Sequence, residues 1–144
     1  TIAILLDKKI TVYGNGYQVR DLLYVDDLCN AYYLAYKKKL LGSFNIGGGK
    51  KNTISVINLI YKLLRITNKK KNFVKKNWRP GDQKIFVSDN SCFKEKTNWR
   101  INTNLNKGLK IIVDWTSNNI NEIEKILGYV SKTEVVHKDD MVKL

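Results

Sequence analysis

The sequence predicts a mixed α/β chain, and three features carry that prediction. Residues 10–13 alternate, with Ile10 and Val12 facing one way and Thr11 and Tyr13 the other, the period of a half-buried strand. Two later stretches, 26–39 and 53–66, repeat their apolar residues at helical spacing. Between them a short apolar run, 43–46, passes through Gly47-Gly48-Gly49 into the second helix, a strand–turn–helix order. With 144 residues and 43% hydrophobic content, the chain can bury one real core but not two ordinary ones.

Residues 1–8 read as the last turns of a helix with Ile2, Leu5 and Leu6 on one side. The strand at 10–13 meets Asn15-Gly16, a dipeptide that tolerates the positive φ of a tight turn, and a second short strand is expected at 22–25. Leu28, Ala31, Tyr32 and Ala35 then form the apolar stripe of a helix over 26–39. Asp26 and Asp27 suit its positive end, and Lys37, Lys38 and Lys39 its negative end. Gly42 breaks that helix, 43–46 is a strand, and Thr53 is a plausible N-cap for the next helix. There Val56, Ile57, Ile60, Tyr61, Leu63 and Leu64 make an apolar face wide enough to lie between layers. Residues 69–76 form a basic connector in which Phe73 and Val74 suggest a solvated edge strand. Trp78-Arg79-Pro80-Gly81-Asp82 is a turn. A strand at 85–87, a short helix at 90–97 and a helix at 105–116 built on Leu109, Ile112, Val113 and Thr116 complete the pattern. Ile120, Ile123 and Leu127 continue it as a further short helix, and 128–144 reads as a mobile tail.

Charge is lopsided, with 26 Lys and Arg against 13 Asp and Glu, a net +13. Such a balance favours polyanionic partners, but only Arg20, Arg65, Arg79 and Arg100 are arginines, and the lysines travel with Asn and Ile. An AT-rich coding sequence produces that mixture, so the charge is discounted as a sign of nucleic-acid binding. Cys29 and Cys92 stand far apart and His137 is alone; neither a metal site nor a disulfide framework follows, and a reducing cytoplasm is the expected compartment. No apolar run approaches a membrane span. The chain opens in mid-pattern at Thr1 and its one methionine is Met141, which leads to the expectation of a piece of something longer.

Residues 20–27 spend Arg20, Asp21, Asp26 and Asp27 in an otherwise apolar setting, and charges there need partners or a ligand. One reading is a hairpin with an Arg20–Asp21 surface pair and an ordinary acidic helix start; the other is a binding segment. Arg79 and Asp82 sit on a rigid turn, again as a pair or as ligand contacts. Gly47 and Gly49 begin a G-x-G-x-x-G pattern, but Asn52 holds its last position and no acidic residue follows at ribose distance, so a tight strand-to-helix turn is the better reading. Tyr33 and Lys37 have Y-x-x-x-K spacing, and Tyr33 is read as helix packing. A basic single-strand-binding module would explain the charge but lacks the usual aromatic signatures.

The run G-N-G-x-Q-x-R-D-x-x-Y-V-x-D at 14–27 resembles the segment that opens the C-terminal half of the NAD-dependent nucleotide-sugar epimerases and dehydratases, the extended short-chain dehydrogenase/reductase family. F-N-I-G-G-G-x-x-N-T-I-S at 44–55, R-P-G-D at 79–82, Ser88-Asp89 and the helix at 105–116 resemble the same family in order. Asn98-Trp99-Arg100-Ile101 departs from it, since the family usually has Gly-Trp and then Pro. N-I-G-G-G with Asn52, and W-R-P-G-D-Q, look most like the CDP-paratose (CDP-tyvelose) 2-epimerases within it.

The resemblance implies an α/β fold: the C-terminal portion of an extended Rossmann-type enzyme, with its smaller α+β substrate-binding part over 1–118 and a short helix and tail over 119–144. It implies a hydride passed from a sugar carbon to NAD and returned to the other face of a keto sugar. A Tyr helped by Lys would do the proton work. The Gly-rich turn and the Tyr/Lys pair belong to an N-terminal Rossmann half that this sequence does not include, so NAD, the catalytic residues and any metal are assigned to no residue here. What is carried over is substrate capture. Arg20 and Arg79 would fork the substrate pyrophosphate from opposite walls, Asp82 would accept from ribose hydroxyls, and Val12 and Tyr13 would border the base. Asp26 and Asp27 would fix the helix entry and the Arg20 loop. The implied partner is a nucleotide-diphosphate sugar, a CDP-sugar favoured, with neither nucleic acid nor membrane; whether the parent forms a homodimer is left open by this sequence. An inactive structural remnant of such an enzyme is the alternative.

Overall fold

Residues 1–128 are described in the structure, a computed structural model; the expectations for residues 129–144, His137 included, lie outside them. The elements in order are α1 (Ile2–Leu5), β1 (Ile10–Tyr13), β2 (Val19–Asp21), α2 (Val25–Lys37), β3 (Thr53–Ser55), α3 (Val56–Thr67), β4 (Phe73–Lys76), α4 (Ser91–Thr97), α5 (Leu105–Asn118) and α6 (Ile120–Ile126). One turn of 3-10 helix, Lys50–Asn52, leads into β3.

β1 and β4 pair in parallel, Ile10 opposite Phe73 and Tyr13 opposite Lys76. β2 and β3 pair antiparallel, Val19 opposite Ser55. The two strands flanking Asn15-Gly16 therefore belong to different sheets rather than to one hairpin. One edge of β1 is taken by β4 and its flanks, since Ile10 N–H donates to Asn72 C=O and Gly14 N–H to Lys76 C=O. The loop between β1 and β2 instead receives the start of α3. Gly16 C=O accepts from Ile57 N–H at 2.8 Å and Gln18 C=O from Val56 N–H at 3.1 Å, pairing donors that a helix start leaves open.

Several sequence expectations shift for identifiable reasons. The strand expected at 22–25 lies at Val19–Asp21, where β3 offers a ladder, and Val25 already begins α2. Residues 43–46 join no ladder, because no strand among the described residues lies beside them. Residues 85–87 reduce to one parallel bridge, Val19 with Ile85. Ser55, not Thr53, caps α3 by accepting from Asn58 N–H at 3.3 Å, since Thr53 is held in β3. The basic connector does contain the expected strand, β4.

Two apolar clusters organise the helices. Ile4, Val12, Ile60, Leu63, Leu64, Leu109 and Val113 gather where β1, α3 and α5 meet; Ile4, rather than Ile2 or Leu5, is the buried residue of α1. Ala31, Phe93 and Trp99 form the second, with Leu34, Ala35, Phe44 and Ile46 packed around them. Tyr32 and Tyr33 are both exposed on the outer side of α2, so neither packs as its spacing suggested. Asn98 adopts φ +58° and closes α4 with its N–H on Lys94 C=O at 2.7 Å. Asn is, after Gly, the residue that best tolerates that left-handed cap, which is why the N-W-R-I departure leaves the turn intact. No helix among the described residues is long and apolar enough to cross a membrane.

Candidate functional site

β1 and β4 run side by side to their carboxyl ends, and the loops that leave them, 14–18 and 77–82, meet there. The second loop is a tight turn, with Asp82 N–H donating to Arg79 C=O at 3.2 Å and Gly81 at φ +75°. It carries Asp82 toward β2, where Arg20 Nη2 lies 3.4 Å from Asp82 Oδ1. Arg79 Nη2 lies 3.6 Å from Asp82 Oδ2, and its guanidinium carbon sits 4.6 Å from the centroid of the Tyr13 ring. Arg20, Arg79, Asp82 and Tyr13 thus come together from segments 62 positions apart, the two guanidiniums flanking one carboxylate. Arg20 partners Asp82 rather than its neighbour Asp21.

The charges do not cancel here. Two guanidiniums share one carboxylate through long contacts, and Arg20 spends a further N–H on Val19 C=O at 2.7 Å. Each guanidinium has five N–H donors, so most stay free, and the Arg79 side chain is 61% exposed. The Asp82 side chain is only 12% exposed, and its Oδ2 is buried without a hydrogen-bond partner. Val12 stands apart: at 2% exposure it is part of the larger apolar cluster, and its side chain anchors β1.

Other residues of the same motifs hold the site's frame. Asp21 Oδ2 accepts from Gly49 N–H at 2.8 Å and Ser88 N–H at 3.0 Å. Asn90 binds both backbone groups of Gly47 at 2.9 Å. Asn52 donates to Thr103 C=O and accepts from Leu105 N–H. Asp27, 3% exposed, accepts from Asn102 and Thr103 N–H at 3.0 Å each, while its C=O takes the Trp99 indole N–H. Asp27 therefore ties α2 to the start of α5, not to the Arg20 loop as expected. These long-range acceptors leave no periodic trace, so spacing could not find them. The clustering of carboxylates and amides in apolar surroundings was the available signal.

Two clefts lie elsewhere. One of about 950 Å³ is bordered by Lys50, Lys51, Lys94 and Arg100 with Asp89 and Asn102. The Ser91 N–H and hydroxyl, with Lys94 and Lys50 nearby, hold the Asp89 carboxyl below its ordinary value. A second, about 300 Å³ and mainly apolar, lies between Leu22, Tyr24, Leu105, Leu109 and Ile112. Among the described residues no group of three or more His, Cys, Asp or Glu could hold a metal ion. Tyr33 and Lys37 form a loose cation–π contact, Nζ at 5.9 Å from the ring, on the outer side of α2.

Residues 1–112 match the GDP-mannose 4,6-dehydratase family. The chain is 34% identical over 120 residues to a UDP-glucuronate 4-epimerase of Thermodesulfobacterium geofontis, covering 83% of this chain and 37% of that protein. It is also 34% identical over 115 residues to a CDP-paratose 2-epimerase of Salmonella typhi, 78% of this chain and 34% of that one. The solved UDP-glucuronic acid 4-epimerase of Bacillus cereus, in complex with UDP-glucuronic acid and NAD, superposes with a TM-score of 0.72 at 28% identity, covering 81% of this chain and 38% of that structure. The chain thus spans little more than a third of the relatives it matches.

NAD binding is the norm in this family, but the glycine turn at 47–49 is not a dinucleotide cradle. A Cβ on Gly47 would meet Ser88 Oγ and Asp21 Oδ2, and one on Gly48 would meet the Leu22 backbone, all within 2.8 Å. These glycines serve close packing, not a pyrophosphate. The chain belongs to the GDP-mannose 4,6-dehydratase family of NAD-dependent nucleotide-sugar epimerases and dehydratases, with the Rossmann-type extended short-chain dehydrogenase/reductase fold, and corresponds to their C-terminal half.

Proposed function

We propose that this chain is the nucleotide-sugar-binding part of an epimerase, with Arg20 and Arg79 as the pyrophosphate donors. The observation that carries the reading is the convergence of both guanidiniums on Asp82, with free N–H groups and a net positive charge. A planar guanidinium matches two phosphate oxygens at once. Arg79 is exposed enough to swing from Asp82 to a phosphate, which would free Oδ2 to accept from a ribose hydroxyl. Tyr13, already stacked beneath Arg79, offers its ring edge to the base. No proton transfer from the sugar is assigned to Tyr33 and Lys37, which lie exposed on α2 in contact with each other. We assign the full-length enzyme to epimerisation through a keto-sugar intermediate, of the CDP-paratose 2-epimerase type. The W-R-P-G-D-Q sequence and the similarity to the Salmonella typhi enzyme support that choice.

Calorimetric titration of CDP, UDP and dTDP into the 144-residue chain tests the reading. The expected result is that all three bind, CDP most tightly, and that salt weakens each. Equal affinity for the three would remove the cytidine preference. No binding by any of them would remove the pyrophosphate site.

A further inference from the structure

We propose that Trp78 is a positioning residue for the pyrophosphate site, seating the 77–82 loop by packing its indole on Gly14; this rests on the nucleotide-binding reading above. A Cβ built on Gly14 would lie 2.5, 2.6 and 2.9 Å from Trp78 Cε2, Cδ2 and Cε3. The fused edge of the indole therefore lies directly against the Gly14 α-carbon, an approach only glycine allows. Gly14 also sits at φ +71°, a second reason for glycine there. Its N–H extends the β1–β4 ladder by one bond, to Lys76 C=O at 2.8 Å, so the indole packs at the point where the parallel pair ends.

The contact is one half of a double clamp. Trp78 covers Gly14, and the next residue, Arg79, covers the preceding one, Tyr13. Two consecutive residues of the loop thus pack on two consecutive residues at the end of β1. Gln18 braces the platform from the other side: it is 6% exposed, and its Nε2 donates to Tyr13 C=O at 2.8 Å. The Arg79 stack is an exposed cation–π contact, weak by itself. With the indole gone, the loop is left with that stack and with long contacts from the two guanidiniums to Asp82. Trp78 is 40% exposed, so it lies at the surface and its replacement leaves both apolar clusters unaltered.

Two readouts on the whole chain test this. The first is ligand-independent: the Arg79 side-chain protons, stacked on Tyr13, should carry an upfield ring-current shift. Trp78→Ala should move those resonances toward ordinary arginine values, while Trp78→Phe, which restores an aromatic face on Gly14, should keep most of the shift. The second is UDP affinity, expected to fall about ten-fold in Trp78→Ala, the equivalent of ~1.4 kcal/mol, and about two-fold in Trp78→Phe. Retention of the shifted Arg79 signals in Trp78→Ala overturns the proposal, as does wild-type UDP affinity in that variant. If the parent chain does not bind UDP, the nucleotide reading fails by itself, and the ring-current comparison still decides whether Trp78 positions Arg79. Should Trp78→Ala fail to fold, the surface role assigned to the indole is wrong.

Discussion

Replacing Arg79 by Ala separates binding from stability, because the structure assigns the side chain little of the second. Its contacts are the Tyr13 ring at 4.6 Å and Asp82 Oδ2 at 3.6 Å. An exposed cation–π contact contributes about 0.5–1 kcal/mol, and a long ion pair whose arginine is exposed about 0–1 kcal/mol. Removing both should therefore lower stability by at most ~2 kcal/mol, with Asp82 still neutralised by Arg20. In binding, a hydrogen bond to a charged group contributes roughly 1.5–3 kcal/mol, and each 1.4 kcal/mol is about ten-fold. Arg79→Ala should thus weaken nucleoside diphosphate binding by about one to two orders of magnitude. Arg79→Lys should recover only part of the loss, since an ammonium cannot make the forked contact. Calorimetry with UDP on the three proteins, beside urea unfolding midpoints, reads both quantities. Unchanged affinity in a folded Arg79→Ala chain would show that W-R-P-G-D is a turn and nothing more.

Asp27→Ala should strip the Asn102 and Thr103 N–H groups of their acceptor, at roughly 1–3 kcal/mol for each buried donor, a large share of a stability of about 5–15 kcal/mol; the urea midpoint and the near-ultraviolet dichroism of Trp99 will report it. Gly48→Ala should destabilise by about 1–3 kcal/mol or more, because its Cβ would lie 2.2 Å from Leu22 O, a backbone atom that cannot step aside; thermal unfolding measures the loss. The chain alone should retain no stoichiometric NAD and interconvert no sugar nucleotide, which absorbance of the purified protein and product chromatography will show.

Helices were the legible part of this fold, because α2, α3 and α5 each write one apolar face in their own periodicity. Strands were harder. Residues 43–46 carry strand composition but find no neighbour, and a strand is defined by what lies beside it. The cap of α3 was misplaced by two residues because Thr53 and Ser55 are chemically alike, and only the β2–β3 ladder distinguishes them. At the site, Arg20, Arg79 and Asp82 were singled out from motif and turn chemistry, but their meeting on one carboxylate is a tertiary fact. Val12 differs from them: alternation along β1 sets it apart from Tyr13, and its side chain lies in the core on the inward side of the strand. Gly14, Gln18 and Trp78 stand in the quoted motifs, but their roles could not be read because their contacts join loops, where no period exists.

The parallel pairing of β1 with β4 has a kinetic consequence. An antiparallel hairpin could assemble its turn within microseconds, but these strands can align only after β2, α2, β3 and α3 have been laid between them. Closing so long a loop precedes any reward from the contacts it makes, which slows pairing of this type. Tyr13 and Arg79 then meet only in a chain whose topology is complete, so the proposed ligand site would be among the last features that refolding assembles. A nucleotide bound there, as proposed, would stabilise that finished arrangement alone, by an amount that grows as the logarithm of its concentration. It acts as a selector of the correct topology, and partly folded chains with helices formed but strands unzipped gain nothing from its presence.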